Sequence, residues 1–544
     1  MATDGGLETP LGYVAWYGCV GSDETPGQAA VRIPSRLHQA ADRLQGVGSF
    51  ALFAGAALWL AARYHRDLVA VAVGILGSLN AVYLAWAAVQ GVEDAAPDLG
   101  KSADDLAVAV GRQWEAEATA QDYRDWMAVA IPVSWLRYPG PGNDAFVDFL
   151  IVGDGMFGAA TARHLAPHAT VMVIGPKAPA DGSGAYGAHH DEGRITGDLS
   201  RDIAWSELNQ RARDGMIELD PALITSRGAL TITTRDAPGY LEVAKQLRQH
   251  SGADIRTLTA DAARARFPMV RLDPDETILH QPAAGYFSPR RYVTLATRSA
   301  QGNGATITLG TVRALHTSAT GVEAELGDGR RLRAEAAIVA SGAFAAGSDL
   351  LPGPVALRAK SEIYAMAELD DQQAAELSAM PCITRTISHP QLADLYVLPP
   401  IRYPDGRTYL KFGANTTADC WLPDPAAVRA WYDHGDGGDP LAALRDALAA
   451  LLPDVRIRSW HTRRCADAYT AHRRPYIDIL EPGRLVIALG GNGRGAQAAD
   501  AVGQLTARLA LGKPWPSGFS RDAFRHVPAD ALWHGMTLLR DQTG

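Results

Sequence analysis

A glycine-rich segment has the residue types and the spacing to bind a phosphate group. Gly153, Gly155 and Gly158 form a G-x-G-x-x-G pattern, with Met156 and Phe157 before the last glycine. In such a pattern the first glycine permits a tight turn, the second lets the backbone approach a pyrophosphate, and the third allows close packing of a helix on a sheet. The N-terminus of that helix attracts the anion. These five residues therefore predict a dinucleotide-binding turn.

The elements that must position this turn surround it in the expected order. An apolar run of strand length covers 146–152, a helical stretch covers 159–165, and a second apolar run covers 170–174. Because a strand, a glycine turn, a helix and a second strand follow one another so closely, we expect the first half of a Rossmann-like domain.

The end of the second predicted strand lacks a side chain that dinucleotide-binding folds usually place there. An Asp or Glu would bind the adenosine ribose, but the strand continues as Val173-Ile174-Gly175-Pro176-Lys177. We therefore expect backbone groups or another side chain to hold the ribose. A flavin nucleotide can be held by contacts along its whole length, so the missing acid favours FAD over NAD.

A second glycine segment occurs near the C-terminus. A strand-like run, 485–489, leads into the glycines of 490–496 and then into a helical pattern, 497–511. A helix N-terminus at this place would donate amide groups to the pyrimidine edge of a flavin, where negative charge accumulates on reduction. A merely structural turn is the alternative. The candidate cofactor-binding residues are Gly491, Asn492, Gly493, Arg494 and Gly495.

Composition excludes several classes of protein. The 544 residues include 51 basic and 60 acidic side chains, which gives a net charge of −9, and 47% of the residues are hydrophobic. This is an ordinary globular balance and does not suggest a nucleic-acid partner. The four cysteines lie far apart and form no CxxC pair. Neither a disulfide framework nor a metal site is therefore expected.

Two uncharged stretches near the N-terminus, 44–62 and 68–89, predict membrane-spanning helices. At a rise of about 1.5 Å per residue, each is close to the roughly 30 Å thickness of the hydrocarbon core. We therefore expect an all-α hairpin in a lipid bilayer, and a buried hairpin of a soluble domain is the alternative. The flanking basic residues weakly favour both termini in the cytoplasm, which would place the cofactor domain there as well.

The two glycine segments do not stand alone, and residues 146–525 resemble the D-amino-acid-oxidase-like FAD oxidoreductases, nearest the sarcosine oxidase branch. The other segments that carry this resemblance are, in chain order, 187–195, 311–313, 339–343, 409–413 and 465–478. The resemblance implies an α/β fold, in which a discontinuous Rossmann-like FAD-binding domain is covered by an antiparallel-sheet substrate domain. It also adds Val312, Ser341 and Gly342 to the residues expected to bind FAD.

The resemblance and the composition together divide the chain into segments. The predicted segments are a flexible N-terminus with an amphipathic part (1–43), the membrane hairpin (44–92), a helical membrane-proximal segment and linker (93–144), FAD-binding parts (145–227, 283–354 and 453–525), substrate-domain parts (228–282 and 355–452) and a tail (526–544). A hairpin is expected in the second substrate-domain part, because Pro404-Asp405-Gly406 is typical of a turn.

The resemblance implies three catalytic residues. Lys411 would stand over the flavin and assist the reaction with dioxygen, because a fixed cation stabilises the negative charge that oxygen gains. Arg194 would cover the other flavin face near N5 and N1 and also bind the cofactor, and His190 would position the ring. The alternatives are a surface lysine on a strand and a structural histidine pair.

Cys465 matches the cysteine that holds flavin covalently in some relatives, where the thiolate has joined the 8α-methyl carbon. Arg463 and Arg464 beside it are expected to stabilise a thiolate. A buried free thiol is the alternative.

Two departures from the sarcosine oxidase branch concern the substrate. The family binds a substrate carboxylate with an arginine and a lysine, and these positions hold Gly197 and Gln497 here. Because each charge-assisted hydrogen bond contributes roughly 1.5–3 kcal/mol, a small amino acid held by two such cations is not expected. Arg290 and Arg291 are alternative partners for a carboxylate.

The function that the resemblance implies is oxidation of an amine or amino-acid-like substrate to an imine, with dioxygen as the acceptor and hydrogen peroxide as the product. Two alternatives remain open. One is a membrane-linked dehydrogenase that passes electrons to quinone, and the other is a non-catalytic flavin-binding sensor or scaffold.

Overall fold

The computed structural model describes residues 146–177, 179, 184–234, 238–435, 440–530, 533, 538 and 539. The predicted N-terminal segment, membrane hairpin and linker lie outside these residues. Within the described ranges, no helix combines the length and the apolar character needed to cross a membrane.

Strands form most of the described region. In chain order they are β1 (Phe146–Val152), β2 (Val171–Gly175), β3 (Arg194–Thr196), β4 (Ile224–Ser226), β5 (Ala229–Thr234), β6 (Arg256–Leu258), β7 (Glu276–Gln281), β8 (Gly285–Phe287), β9 (Thr306–Leu309), β10 (Val312–Ser318), β11 (Gly321–Leu326), β12 (Arg331–Val339), β13 (Leu357–Leu369), β14 (Cys382–Thr386), β15 (Asp394–Val397), β16 (Ile401–Arg402), β17 (Thr408–Gly413), β18 (Trp421–Leu422), β19 (Ser459–Thr470), β20 (Tyr476–Glu481) and β21 (Leu485–Leu489).

Helices connect and cover these strands. In chain order they are α1 (Met156–Leu165), α2 (Ile203–Leu219), α3 (Pro238–Ser251), α4 (Ala260–Arg266), α5 (Pro289–Gly302), α6 (Asp371–Glu376), α7 (Pro425–His434), α8 (Leu441–Leu451) and α9 (Gly495–Ala510). Several of them begin where the sequence supplies a capping oxygen. Asp202, for example, accepts a hydrogen bond from the amide of Ala204 at the start of α2, which satisfies one of the unpaired N–H groups of the first turn.

The first sheet has a parallel centre in the order β9-β2-β1-β12-β21. Strands β10 and β11 extend it as an antiparallel meander beside β12, and β20 pairs antiparallel with β21. Side chains alternate between the two faces of a strand. Ile151 of β1 accordingly joins the core formed with α1, α2 and α9, whereas Leu150 and Val152 join the core on the opposite face. The predicted Rossmann-like half is therefore confirmed.

The second sheet has the order β18-β13-β17-β15-β14-β5-β7-β6, with β16 added on β17 and β19 added on β13. Its pairs are antiparallel except for β5 with β14, which is parallel. Strand β16 pairs antiparallel with β17 across Pro404-Asp405-Gly406, so the predicted hairpin is confirmed. Strand β19 lies in the segment assigned to the FAD-binding part from the sequence, but it pairs with β13 along its whole length.

A third, short sheet of β3, β8 and β4 holds Arg194 in place. Arg194 opens β3 and pairs with Phe287 of β8. Its guanidinium donates a hydrogen bond of 2.6 Å to the carbonyl oxygen of Ala188. These contacts fix the position of the Arg194 side chain in the stretch between β2 and α2.

Candidate active site

The first glycine turn is as tight as its sequence predicts. Gly153 has a φ of +109°, which side-chain-bearing residues rarely adopt. A Cβ atom at this position would lie 2.6 Å from the carbonyl oxygen of Ala340, and one at Gly158 would overlap the carbonyl oxygen of Gly153. Helix α1 has Gly155 as its N-cap, so no side chain caps its first amide groups, which are the groups that attract a phosphate.

The second glycine segment is also a conformationally special turn. Gly490, Asn492 and Gly493 have φ values of +84°, +51° and +70°. The Asn492 side chain donates a hydrogen bond of 2.6 Å to the Gly490 carbonyl oxygen and accepts one of 3.0 Å from the amide of Thr470. The Asn492 side chain therefore connects the turn to β19. The backbone amide groups of the segment are the donors that can bind a cofactor.

The two glycine segments lie side by side. A Cβ atom at Gly495 would approach the ring of Phe157 to 3.2 Å. Farther along the same two helices, a Cβ atom at Gly503 of α9 would overlap Ala160 of α1. The helices that begin at the two turns are therefore in direct contact.

A buried carboxylate joins these helices. Asp500 of α9 forms an ion pair with Arg163 of α1, and His164 lies 3.0 Å from its other oxygen. The hydroxyl of Tyr292 of α5 donates a further hydrogen bond of 2.9 Å. Burial raises the pKa of Asp500, but these partners outweigh burial and leave it below its ordinary value. The network fixes both glycine turns relative to each other.

The residues after β12 provide a test of whether a cofactor fits here. The hydroxyl of Ser341 is buried and has no hydrogen-bond partner within the described part of the chain. A buried polar atom of this kind usually has a partner, such as water or a ligand. Gly342 has a φ of +57° and open space where a Cβ atom would lie, and Val312 is buried at the start of β10. The turns, the orphaned hydroxyl and the open space fit FAD.

An aspartate that the sequence analysis missed lies at the centre of the catalytic candidates. The carboxylate of Asp191 contacts both the Lys411 ammonium and the Arg194 guanidinium through the same oxygen. The hydroxyl of Tyr403 donates a hydrogen bond of 2.9 Å to the other oxygen. We call Asp191, Arg194, Lys411 and Tyr403 the Asp191 cluster. Lys411 and Arg194, which were expected on opposite faces of a flavin, therefore converge on one carboxylate.

The charges of the Asp191 cluster keep its carboxylate ionised. Burial works against the carboxylate, but Lys411 and Arg194 hold the pKa of Asp191 far below its ordinary value. Burial and the positive charge of Arg194 lower the pKa of Lys411 to about 8, although Asp191 opposes this. Lys411 is fully buried and its ammonium lies 4.5 Å from the Tyr364 ring centre. It is therefore an interior lysine and not a surface one.

The histidine pair has its two members in different places. His190 is buried beside the Tyr186 ring, with ring centres 5.2 Å apart, and burial together with Arg290 lowers its pKa. His189, which the sequence analysis treated only as the partner of His190, faces the first glycine turn, because a Cβ atom at Gly155 would lie 3.5 Å from its Nδ1. Burial lowers the pKa of His189 to about 4.

Cys465 lies on β19, directly opposite Glu362 of β13. Its thiol is buried and donates a weak hydrogen bond of 3.8 Å to Asp467. Burial and the Asp467 carboxylate raise the pKa of Cys465 well above its ordinary value. Arg464, expected to stabilise a thiolate, instead donates a hydrogen bond of 2.8 Å to the Tyr432 carbonyl oxygen. The cations that favour the Cys465 thiolate are Arg194 and Lys411.

A second group of charges, also missed in the sequence, lies on and beside β13 and β19 of the second sheet. We call Lys360, Glu362, Asp419 and Asp467 the acidic cluster. The Lys360 ammonium lies 3.0 Å from Glu362 and 2.9 Å from Asp419, and the hydroxyl of Tyr469 donates a hydrogen bond of 2.9 Å to Glu362. Lys360 pairs across the strands with Asp467.

The acidic cluster carries more negative than positive charge. Burial raises the pKa of Glu362, but Lys360 and the Tyr469 hydroxyl outweigh burial and lower it. At Asp467 the balance is reversed, because burial and the Glu362 charge outweigh Arg194, Lys360 and Cys465 and raise the pKa to about 7. The cluster also lies beside the second glycine segment, because a Cβ atom at Gly493 would be 4.0 Å from an Asp467 oxygen.

Gly197 is closely surrounded, and the two arginines considered as alternative carboxylate partners form ion pairs within the chain. A Cβ atom at Gly197 would lie 3.1 Å from Ala284 and 3.3 Å from Gln281, so a large side chain has no room there. Arg290 lies 3.2 Å from Glu192, and Arg291 forms an ion pair with Asp220. These two arginines already have carboxylate partners within the chain.

Comparison with known proteins agrees with this geometry. The family model described as DAO, FAD dependent oxidoreductase, matches residues 148–509. Among solved structures, NikD, an unusual amino acid oxidase essential for nikkomycin biosynthesis, is 20% identical, with 72% of this chain and 99% of that chain covered and a TM-score of 0.57. No curated protein gives a significant match.

Two further solved structures have the same fold. Iminodiacetate oxidase from Chelativorans sp. BNC1 is 22% identical, with 70% of this chain and 100% of that chain covered and a TM-score of 0.52. Glycine oxidase from Geobacillus kaustophilus is 19% identical, with 70% and 98% covered and a TM-score of 0.53. Because the family model spans well over half of the sequence, the chain belongs to the DAO family of FAD-dependent oxidoreductases.

Proposed function

We propose that the protein oxidises an amine to an imine, with dioxygen as the electron acceptor and hydrogen peroxide as the product. The observation that carries the substrate class is the acidic cluster, in which three carboxylates accompany one lysine beside the second glycine segment. Such a cluster attracts an ammonium group and repels a carboxylate. Neighbours named as oxidases of amino acids and of iminodiacetate support oxidation of a nitrogen compound.

Asp467 is the group that we propose takes a proton from the bound substrate. An amine enters as an ammonium ion, and its nitrogen must lose a proton before the neighbouring C–H bond can be oxidised. A pKa of about 7 suits this role, because a general base works best when its pKa lies near the operating pH. FAD, when bound, would supply the acceptor for the hydride equivalent. Water then hydrolyses the released imine.

Lys411 is proposed to act in the second half of the reaction. The Asp191 cluster combines two cations with one carboxylate, so it keeps a net positive charge at neutral pH. A fixed positive charge in a buried site stabilises the negative charge that dioxygen gains with its first electron. Tyr403 and Asp191 hold this charge in position.

Anaerobic mixing tests the reaction type. We expect primary or secondary amines to bleach the flavin absorbance of the holoenzyme. Bleaching by another class of donor, after failure with every amine, would overturn the assignment. FAD bound in stoichiometric amount with no turnover on any donor would support the non-catalytic alternative.

The electron acceptor is tested by the peroxide yield. We expect one hydrogen peroxide for each amine oxidised in air, with little change when a soluble quinone is added. A peroxide yield that collapses on addition of quinone would instead support a quinone-linked dehydrogenase.

Cys465 is proposed to hold FAD covalently. It lies on β19 between Arg463 and Asp467, and Arg194 and Lys411 favour its thiolate. A flavin-fluorescent band on a denaturing gel, lost in Cys465→Ala, is the expected result. Release of all flavin by acid from the unmodified protein would reject the link.

A further inference from the structure

The adenosine end of the cofactor site has an unexplained gap. Parallel strand β2 ends at Gly175, where dinucleotide-binding folds place an acidic side chain for the ribose. No side chain of β2 itself can therefore serve this purpose. Gly175 is not among the residues with a positive φ, so its backbone conformation does not require glycine.

A carboxylate from a different segment fills the space beside Gly175. A Cβ atom added at Gly175 would overlap the carboxyl group of Asp154, and the three atoms nearest to it all belong to that group. Asp154 is the variable residue between the first two glycines of the G-x-G-x-x-G turn. The carboxylate thus stands where the side chain of a β2 acid would begin.

The environment of Asp154 indicates a missing partner. Burial raises the pKa of Asp154, and only its own backbone amide opposes this rise. Within the described ranges, no side chain forms an ion pair or a hydrogen bond with this carboxylate. Taking a carboxylate out of water without a partner is costly, so an unpaired acid in a cofactor cleft points to a ligand that donates hydrogen bonds.

We propose that Asp154 binds the adenosine ribose of FAD by accepting hydrogen bonds from its 2′- and 3′-hydroxyl groups. The two oxygens of one carboxylate match the two adjacent hydroxyls of a ribose. The carboxylate is supplied by the glycine turn and not by the end of β2. Because Gly175 has no side chain, it leaves space for the Asp154 carboxyl group. The inference concerns cofactor binding and does not depend on the substrate being an amine.

The test compares ligands with and without adenosine. Apoprotein is prepared in a Cys465→Ala background, so that a covalent link cannot mask affinity, and the Kd values for FAD and for FMN are measured by fluorescence quenching. Asp154→Asn keeps the shape of the side chain but weakens its acceptor capacity. We expect about 10- to 100-fold weaker binding of FAD and binding of FMN within about twofold of the parent protein.

A relocated acid is the matched control. The double variant Asp154→Gly/Gly175→Glu returns the carboxylate to the end of β2, and we expect it to recover most of the FAD affinity lost in Asp154→Gly. Circular dichroism confirms that each variant is folded. Equal losses for FAD and FMN, unchanged FAD binding in Asp154→Asn, or no recovery in the double variant would overturn the proposal.

Discussion

The Asp191 cluster and the acidic cluster each include residues of the second sheet, but their net charges have opposite signs. In the Asp191 cluster two cations share one carboxylate, and the pKa of Asp191 is held down. In the acidic cluster one lysine faces three carboxylates, and the pKa of Asp467 is raised to about 7. The difference matches the two proposed tasks, in which the Asp191 cluster would stabilise developing negative charge and the acidic cluster would receive a positive group or a proton.

The pairing of β13 with β17 and β19 explains why the Asp191 cluster and the acidic cluster lie close together. Met366 of β13 pairs with Lys411 of β17, and Glu362 pairs with Cys465 of β19. Alternate residues of one strand share a face, so a few residues of β13 separate Met366, the strand partner of Lys411, from Glu362 of the acidic cluster. Arg194 influences the pKa values of both Lys411 and Asp467.

The largest effect is expected from removing the cation of the Asp191 cluster. Lys411→Met should slow reoxidation by dioxygen about 100- to 1,000-fold, because removal of one preorganised electrostatic group typically has this effect. Anaerobic reduction by an amine should change by less than about tenfold. Stopped-flow absorbance measures both half-reactions separately. Lys411→Arg retains the charge and serves as the control, and an unchanged oxygen reaction in Lys411→Met would remove the proposed role.

A smaller effect is expected from neutralising Asp467 of the acidic cluster. Asp467 is ionised above its pKa of about 7, so the rate of anaerobic reduction should rise as the pH increases through this value. Asp467→Asn should lower the rate at pH 8 about 10- to 100-fold and abolish this rise. Asp419→Asn removes a charge from the same cluster but should leave the rise in place. A pH profile that Asp467→Asn leaves intact would assign the base elsewhere.

The smallest effect is on stability. The pKa of Asp467 is raised above its ordinary value of 3.8, so the folded state holds this proton more tightly than the unfolded state does. The stability that this contributes is fully present below the unfolded pKa of 3.8 and is lost progressively as the pH rises to about 7. Asn does not titrate. The melting temperature of Asp467→Asn minus that of the unmodified protein should therefore be larger at pH 8 than at pH 5. An equal difference at both values would contradict the raised pKa.

The main elements of the first sheet could be predicted from the sequence. Strands β1 and β21 have the predicted bounds, because each is an apolar run that ends at a glycine turn. Helix α1 begins at Met156, three positions before the predicted stretch, since its first turn is built from the glycine segment itself. Strand β2 is shifted by one residue, and its last residue, Gly175, belongs to the strand.

The contacts among the charged residues of the site could not be predicted, because strand pairing and the packing of loops create them. Lys360 and Asp467 are far apart in the sequence and become neighbours only when β13 pairs with β19. Asp191 lay within a segment already singled out, but its partner Lys411 comes from β17. Asp154 likewise approaches Gly175 only after β1 and β2 pair.

Selection of an amine without a carboxylate on the reacting carbon is the task proposed for the acidic cluster. It is tested most directly by anaerobic stopped-flow reduction of the holoenzyme with matched donors, such as benzylamine and phenylglycine, which differ by that carboxylate alone. We predict that across several such pairs the amine reduces the flavin at least about tenfold faster than its amino acid, because like charges repel at the acidic cluster. Faster reduction by the amino acid in every pair would contradict the proposed selection against a carboxylate.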